Sequence, residues 1–535
     1  MSKTAFREGI QKWPLEVWEN AHHNFRHRFQ KDASFKLTLP DSLASSSDKY
    51  KATTANFMWL IQRAISQGHQ LRAMGNGWSF SDVAVCNGGV VDTKSLRLSF
   101  ALKNSFVAPL YLAKGGQAAD LFFVQCGMSI LQISEKLEVA GRSLKASGAS
   151  NGQSIAGATA TGTHGAAFRV GAVHDAIVGL HVVTGPNRHV WLEKASNPTA
   201  SDAFIDWLGA ERISDDTLFN AAVVSFGSFG FIHGVLLETA PIFLLEEHRQ
   251  KAVYDAALRQ TLNQLDFEAI ADQLPYAPGT GGKDLYHFEV LINPHRFEPD
   301  NADNGVFLRF LYKTPYTTNY PRRPRISEGF EYGDNTLGLI QTILDTLGPT
   351  LSAPLVPALV NKLLPLINKP GPVAFGTIGE TFCNTRFRGQ AASAAIGLDI
   401  ADASRVLEEI VAINQQMPFA GAIAFRYVKG TTALLGFTRF ATTCVLEMDG
   451  VDAAHTRSFL QKVWDRLDAL QIPYTLHWGK INFIISPQRV RRMYGDAAVD
   501  SWINSRNLLL DAATQQIFNN DFLHRAGLDA TAPIV

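Results

Sequence analysis

Cysteine is scarce in this sequence. The four present (Cys86, Cys126, Cys383 and Cys444) lie far apart and form no C-x-x-C pair, which argues against a disulfide framework and against a cysteine-based zinc site. An excess of charge of either sign is also missing. Lys+Arg and Asp+Glu stand at 49 each, so no net field recommends a nucleic acid or an anionic membrane as partner. No stretch approaches the roughly 18 uninterrupted apolar residues of a membrane span. The opening MSKTAFREGIQKWPLEVWENAHHNF has charges every few residues and lacks the apolar centre of a secretory signal, so a cytoplasmic location is expected. What is there instead is a globular composition, 46% apolar and 18% charged with 34 Phe. That suffices for a large core and, by length, about two or three domains.

The most unusual run is Ser147–Gly165, SGASNGQSIAGATATGTHG, in which 15 of 19 residues are Gly, Ala, Ser or Thr and none carries a formal charge. Five glycines make it a poor regular helix. Glycine removes the Cβ and permits positive φ, so the run suits backbone held close against something large. Its N–H groups and hydroxyls then face that partner, which is how backbone cradles phosphate. A flexible linker has similar composition, but Ile155, the lack of proline and the hydrophobic patterns on both sides oppose that alternative.

In chain order, residues 1–35 are rich in Trp, His and Phe and read as an arm packed on a domain. Phe57, Leu60, Ile61, Ala64 and Ile65 recur at helical spacing and predict a helix ending near Gly68. A strand over 70–74 then runs into Gly75-Asn76-Gly77-Trp78-Ser79-Phe80. Strand followed by G-x-G is a weak phosphate-loop signal; the third glycine of a Rossmann fingerprint and the Gly-Lys-Ser/Thr of a triphosphate loop are both absent. Strand-like runs occupy 88–99 and 121–130, an amphipathic helix 131–144, and a strand pair 176–185 and 189–193 with a turn at Pro186-Asn187. Residues 215–243 predict a helix, a glycine-punctuated turn and a strand. Beyond 243, long strands are expected at 286–296, 307–314, 382–400, 422–437 and 442–449, with helices over 401–416 and 453–470. The leucine-rich 337–369 segment, broken by Pro354, Pro357 and Pro365, predicts short helices. The expected class is α+β: a split, two-subdomain cofactor domain over 1–243, a cap domain with a large antiparallel sheet covered by helices over 244–474, and a C-terminal segment, 475–535, returning to the first domain.

Gly75–Phe80, SNGQSIAGATATGTHGA, the turn SFGSFGFIHGV and the late His477-Trp478-Gly479-Lys480 occur together in an order that resembles the vanillyl-alcohol-oxidase-type (PCMH-type) FAD-linked oxidases. HWGK is similar to the aldonolactone and alditol oxidase branch; RAMGNGWSF and FEVLINPHR resemble the flavin-linked cholesterol oxidase branch. The resemblance implies an FAD-dependent oxidase or dehydrogenase acting on CH-OH donors. It assigns FAD binding to Met74, Gly75, Asn76, Gly77, Trp78, Ser79 and Phe80, to Gly148, Ser150, Ser154, Gly157, Ala158, Thr161, Gly162 and His164, and to Gly230 and Ile232. It also implies that Arg426 holds a substrate oxygen, that Lys480 sits beside the flavin, and that His477 is the base. His164 serves equally as a structural residue of the GTHG turn. The implied partners are a small-molecule substrate, tilted toward the apolar by the 337–369 segment, and oxygen or another electron acceptor.

Two departures from the family pattern matter. The first-loop histidine that carries a covalent flavin in many members is replaced by Trp78 or Asn76, depending on the branch, and no cysteine stands at Ser150 or Asn151. Non-covalent FAD is therefore expected. The glutamate of a Glu-x-Arg pair is replaced by Ala424, leaving Glu289 and Glu380, on cap strands, as the candidates to supply a carboxylate from elsewhere. These losses fit, as alternatives, a redox-neutral or cyclising flavin enzyme of natural-product biosynthesis, or a non-enzymatic binding protein with a vestigial site.

Overall fold

The computed structural model of the chain describes residues 6–278, 283–301, 305–322, 340, 355–366, 368, 371–383 and 390–530. The helix expected before Gly68 spans Ser46–Gln67. Ser45 caps it by accepting the Asp48 N–H, and Gly68, at φ 65°, closes it in the left-handed region. Phe57, Leu60, Ile61 and Ala64 form its buried face, as their spacing predicts. The following strand, Leu71–Met74, pairs in parallel with Gly89–Asp92 in a four-stranded sheet. The N-terminal arm supplies the outer strand of this sheet, Ile10–Trp13, and adds the small hairpin Val17–Glu19/Arg26–Arg28.

A second, six-stranded sheet runs in the order Glu211–Ser214, Arg188–Glu193, Ile177–Gly185, Phe231–Glu238, Leu121–Gln125, Ser99–Ala101. Its centre contains the expected strand pair, Ile177–Gly185 with Arg188–Glu193, in antiparallel register. These two sheets are the halves of the split domain. The cap is one eight-stranded antiparallel sheet in the order Ala374–Gly376, Phe243–Lys251, Val306–Pro315, Asp284–Ile292, Gly421–Lys429, Thr442–Val451, Ala391–Asp399, Tyr474–Leu476. Helices cover one of its faces: Tyr427 Oη donates to the Leu262 carbonyl of the Ala256–Gln264 helix at 2.9 Å, and Phe419 stacks on Phe459 of the Ala454–Ala469 helix. The whole is an α+β architecture.

The strand expected over 422–437 is cut short. The run 422–437 is strand only to Lys429. Gly430 and Gly436 then turn the chain into a loop, where the Leu434 N–H reaches the Asn220 carbonyl of the first domain. Of the 337–369 segment, residues 355–366 are helical, Pro357 and Pro365 included; most of the remainder lies outside the described residues, as do residues 384–389 of the run expected to be strand over 382–400. After Tyr474–Leu476 the chain packs back on the first domain, with Trp502 Nε1 donating to the Val224 carbonyl and Asn520 Nδ2 to those of Val83 and Val85. Among the described residues no helix is long and apolar enough to cross a membrane.

Candidate active site

Where the split domain meets the uncovered face of the cap sheet lies a cleft with about 1530 Å³ of empty space, open mouth included. Its walls bring together Met74, Gly75, Asn76, Gly77, Trp78, Ser79, Phe80, Gly148, Ser150, Ser154, Gly157, Ala158, Thr161, His164, Gly230, Ile232, Arg426, His477 and Lys480. Gly162 does not line it. At φ 70° that residue turns the end of the Ile155–Ala160 helix toward the loop of Phe437, whose N is 3.7 Å from where a Cβ would stand.

Glycine allows the two loops to touch. A Cβ on Gly75 would lie 2.0 Å from Ser154 Oγ, and one on Gly152 would lie 2.3 Å from the Trp78 ring. Asn76 Nδ2 donates to the Gly152 carbonyl, tying the loops together. The N-terminal hairpin straps this wall to the cap: the Ala21 N–H and Asn20 Nδ2 donate to the Gly77 and Ser79 carbonyls, while Asn24 Nδ2 donates to the Ala391 carbonyl and to Asp452. The hairpin also brings in His22, fully buried, stacked on Phe80 at 4.0 Å and edge-on to Trp78. Burial first, then the charge of Lys480, pushes this imidazole down to about 3.

At the Phe226–Gly230 turn the cleft lies above buried positive charge. Phe226 adopts φ 52°, and Arg72 donates to its carbonyl as well as to those of Val83 and Phe518. Arg506 donates to the Ser228 and Gln515 carbonyls, and its Nη1 has no hydrogen-bond partner. Neither guanidinium forms an ion pair among the described residues. Burial lowers each to about 10, so both are cations at neutral pH. Fixed buried charge without a carboxylate is costly, and a dianionic pyrophosphate is the counter-charge such a site lacks. The neutral, glycine-bearing walls and these cations fit FAD.

The opposite end of the cleft holds a different chemistry. Arg426 donates through Nε to Glu289 Oε1 at 3.0 Å and through Nη1 to Glu447, and its Nη2 lies 2.9 Å from the same Glu289 oxygen in an ion pair. Lys480 Nζ reaches Glu447 Oε1 at 2.5 Å. Glu289 continues the ladder to Arg309, and Arg309 to Glu247. Glu447 has no place in the sequence reading; its only signal there is an acidic residue inside the strand-like TTCVLEMD run. Glu380 is buried elsewhere, accepting from Tyr320 Oη and the Thr377 N–H, and does not line the cleft. Burial pushes the Glu447 carboxyl up, but Arg426 and Lys480 outweigh it and hold it at about 2. Lys480 is raised in turn by Glu447 against the effect of burial.

Two imidazoles adjoin this cluster, 5.4 Å apart between ring centres. His477 Nδ1 accepts the Gly479 N–H at 3.0 Å, so in the neutral ring the proton is on Nε2. His164 is the reverse: its Nδ1 faces the Gly165 carbonyl at 3.0 Å and must donate, leaving Nε2 without a proton, 3.7 Å from Glu447 Oε1. Burial pushes His164 down to about 4, Glu447 opposing it and Lys480 adding to it, and burial with the neighbouring His164 and Lys480 pushes His477 well below the usual imidazole range. Both rings are neutral at neutral pH.

An FAD binding domain family matches residues 52–193. Over 278 residues the chain is 30% identical to L-gulono-1,4-lactone dehydrogenase of Mycobacterium tuberculosis, the match covering 52% of each protein. It is 26% identical over 199 residues to D-arabinono-1,4-lactone oxidase of Kluyveromyces lactis, covering 37% of this chain and 33% of that protein. The chain thus spans about half, or less, of the length of the curated relatives it matches. In fold it is similar to cholesterol oxidase from B. sterolicum, with a TM-score of 0.66 at 13% identity over 97% of both chains. Residues 52–193 are thus similar to an FAD binding domain, and the chain as a whole shares the fold of cholesterol oxidase, a cofactor domain split in two beneath an antiparallel cap.

Proposed function

We propose that the protein is an FAD-dependent oxidoreductase that oxidises a carbon bearing a hydroxyl group, with oxygen or another acceptor taking the electrons onward. The observation carrying this reading is the Arg426–Glu447–Lys480 cluster, set at one end of a cleft whose other end is glycine-walled and underlain by Arg72. In this reading Met74–Phe80, the 148–161 wall and the Gly230–Ile232 edge hold FAD, which when bound accepts the hydride and its two electrons. Lys480 has three N–H donors, of which Glu447 uses one; the others serve a substrate oxygen and the charge that develops on it. Arg426, anchored by Glu289, keeps Glu447 ionised and in place. His477 presents an N–H donor to the cleft.

The flavin is held without a covalent bond. Asn76 and Trp78 are engaged with Gly152, and the one cysteine lining the cleft, Cys126, has its thiol pushed up to about 12 by burial, so no thiolate is present. The lactone and sterol oxidases that this chain resembles put aldonolactones, sugar alcohols and apolar alcohols first in a substrate screen.

The test is an absorption spectrum of purified protein before and after acid precipitation, followed by anaerobic addition of these compounds. Flavin in the supernatant and bleaching by a hydroxylated compound are expected. Flavin retained in the pellet would overturn the non-covalent reading and point to His22. Bound flavin that no hydroxylated compound reduces would favour redox-neutral chemistry, and colourless protein would remove the enzymatic reading.

A further inference from the structure

We infer that His164, through Nε2, takes the hydroxyl proton of the substrate, and that the Glu447 carboxylate stabilises the imidazolium so formed. This rests on the CH-OH reading above and replaces His477 as the base. The reason is the hydrogen bonding of the two rings to backbone groups whose roles are fixed. An amide N–H only donates, so His477 Nδ1 must accept from Gly479 and its remaining nitrogen carries the proton. A carbonyl only accepts, so His164 Nδ1 must donate to Gly165 and its remaining nitrogen carries a lone pair. Of the two, only His164 offers a basic nitrogen beside the charged cluster.

The surroundings suit the task. His164 is 5% exposed and lines the cleft. The groups that face it are Glu447, Lys480, Arg426 and His477, with the Phe437 ring at 5.3 Å. Burial, with the cations adding to it, keeps the resting imidazole neutral, whereas the carboxylate 3.7 Å from Nε2 stabilises the imidazolium once it forms. The step balances as follows: the O–H proton passes to Nε2, the C–H hydride with its electron pair leaves for the two-electron acceptor (the flavin), and the carbon–oxygen bond becomes a carbonyl. His164 returns the proton to solvent in the acceptor half of the cycle.

The experiment has two independent readouts on the full-length protein as purified. In ¹⁵N-histidine-labelled protein, multiple-bond ¹⁵N–¹H spectra should show the His164 ring protonated on Nδ1 and the His477 ring on Nε2, each assigned by its disappearance in His164→Asn or His477→Asn. A His164 ring protonated on Nε2 overturns the assignment. For the second readout, His164→Asn preserves a donor toward Gly165 but removes Nε2. It should retain flavin and its spectrum yet slow anaerobic flavin reduction by about 100-fold or more, as loss of a general base does, and His164→Ala should regain rate on addition of imidazole. Loss of flavin in parallel with rate, or no rescue, would mark His164 as structural. Failure of every hydroxylated compound to reduce the wild-type flavin overturns the functional reading and the proton transfer with it, whereas a contrary tautomer overturns His164 alone.

Discussion

Ala424 and Glu447 stand directly opposite each other across the antiparallel pairing of Gly421–Lys429 with Thr442–Val451. Opposed residues share a sheet face, so the carboxylate that the family resemblance would place at 424 is carried by the next strand and meets the same Arg426. A carboxylate absent at 424 therefore stands at 447, on the same face of the sheet.

This relationship predicts a strand-swapped rescue. Glu447→Ala leaves Lys480 without its carboxylate and should destabilise the protein by about 3 kcal/mol, the effect of breaking a buried pair from one side, with flavin reduction lost. Ala424→Glu in the same chain should restore a large part of both. Ala424→Glu alone should be destabilising, because it sets two carboxylates face to face. Calorimetry and stopped-flow reduction of the four proteins would decide; a double variant no better than Glu447→Ala would show that the two positions are not equivalent.

A second prediction concerns the contact of the two loops. Gly152→Ala drives a Cβ into the Trp78 ring, and overpacking of this kind costs about 1–3 kcal/mol. Its flavin content should fall, and adding Trp78→Phe should recover part of it. Measured occupancy by absorbance unchanged in Gly152→Ala would show that the wall yields without effect on the cofactor.

The N-terminal strap should affect cofactor retention. Asn24→Ala removes the hydrogen bonds to Ala391 and Asp452 that join arm to cap. At about 1 kcal/mol for such bonds, the dissociation constant of FAD should rise roughly fivefold with the circular dichroism spectrum unchanged. Flavin fluorescence during dilution reads this directly.

Acid should destabilise the fold before any carboxylate reaches its usual range. Burial holds His22 and His233 at about 3 and His164 at about 4, against 6.5 when unfolded. Between those values the unfolded chain binds more protons, so stability rises with pH there. The histidine contribution is complete above 6.5 and is lost as pH falls toward 3; that of Glu447, depressed from 4.5 to about 2, is lost below 4.5. The thermal midpoint should therefore decline from about pH 6.5 downward. A midpoint flat from pH 7 to 5 would mean that these rings are solvated in the native state.

Much of the fold was legible in the sequence because local rules and tertiary demands agree there. The helix before Gly68, the hairpin at Pro186-Asn187 and the helices over 401–416 and 453–470 show their periodicity and their stops in the residues themselves. The 422–437 run did not read correctly, since apolar loop residues that pack between domains look like strand. The cleft loops were legible for a similar reason: a backbone that must approach a large ligand excludes side chains, and that exclusion is written as Gly, Ala, Ser and Thr.

What the sequence by itself determined was therefore composition-bearing, an uncharged, glycine-walled ligand site beside a strand-rich second half; Arg426 and Lys480 stood out only through the family resemblance. Only the tertiary structure decided how charge and protons are shared. Glu447 reaches Arg426 and Lys480 through strand register, His22 arrives on an arm that precedes the first loop by about fifty residues, and the opposite tautomers of His164 and His477 are set by single backbone groups. Cross-strand register and hydrogen-bond direction depend on which segments meet in space, and no local pattern along the chain encodes that meeting.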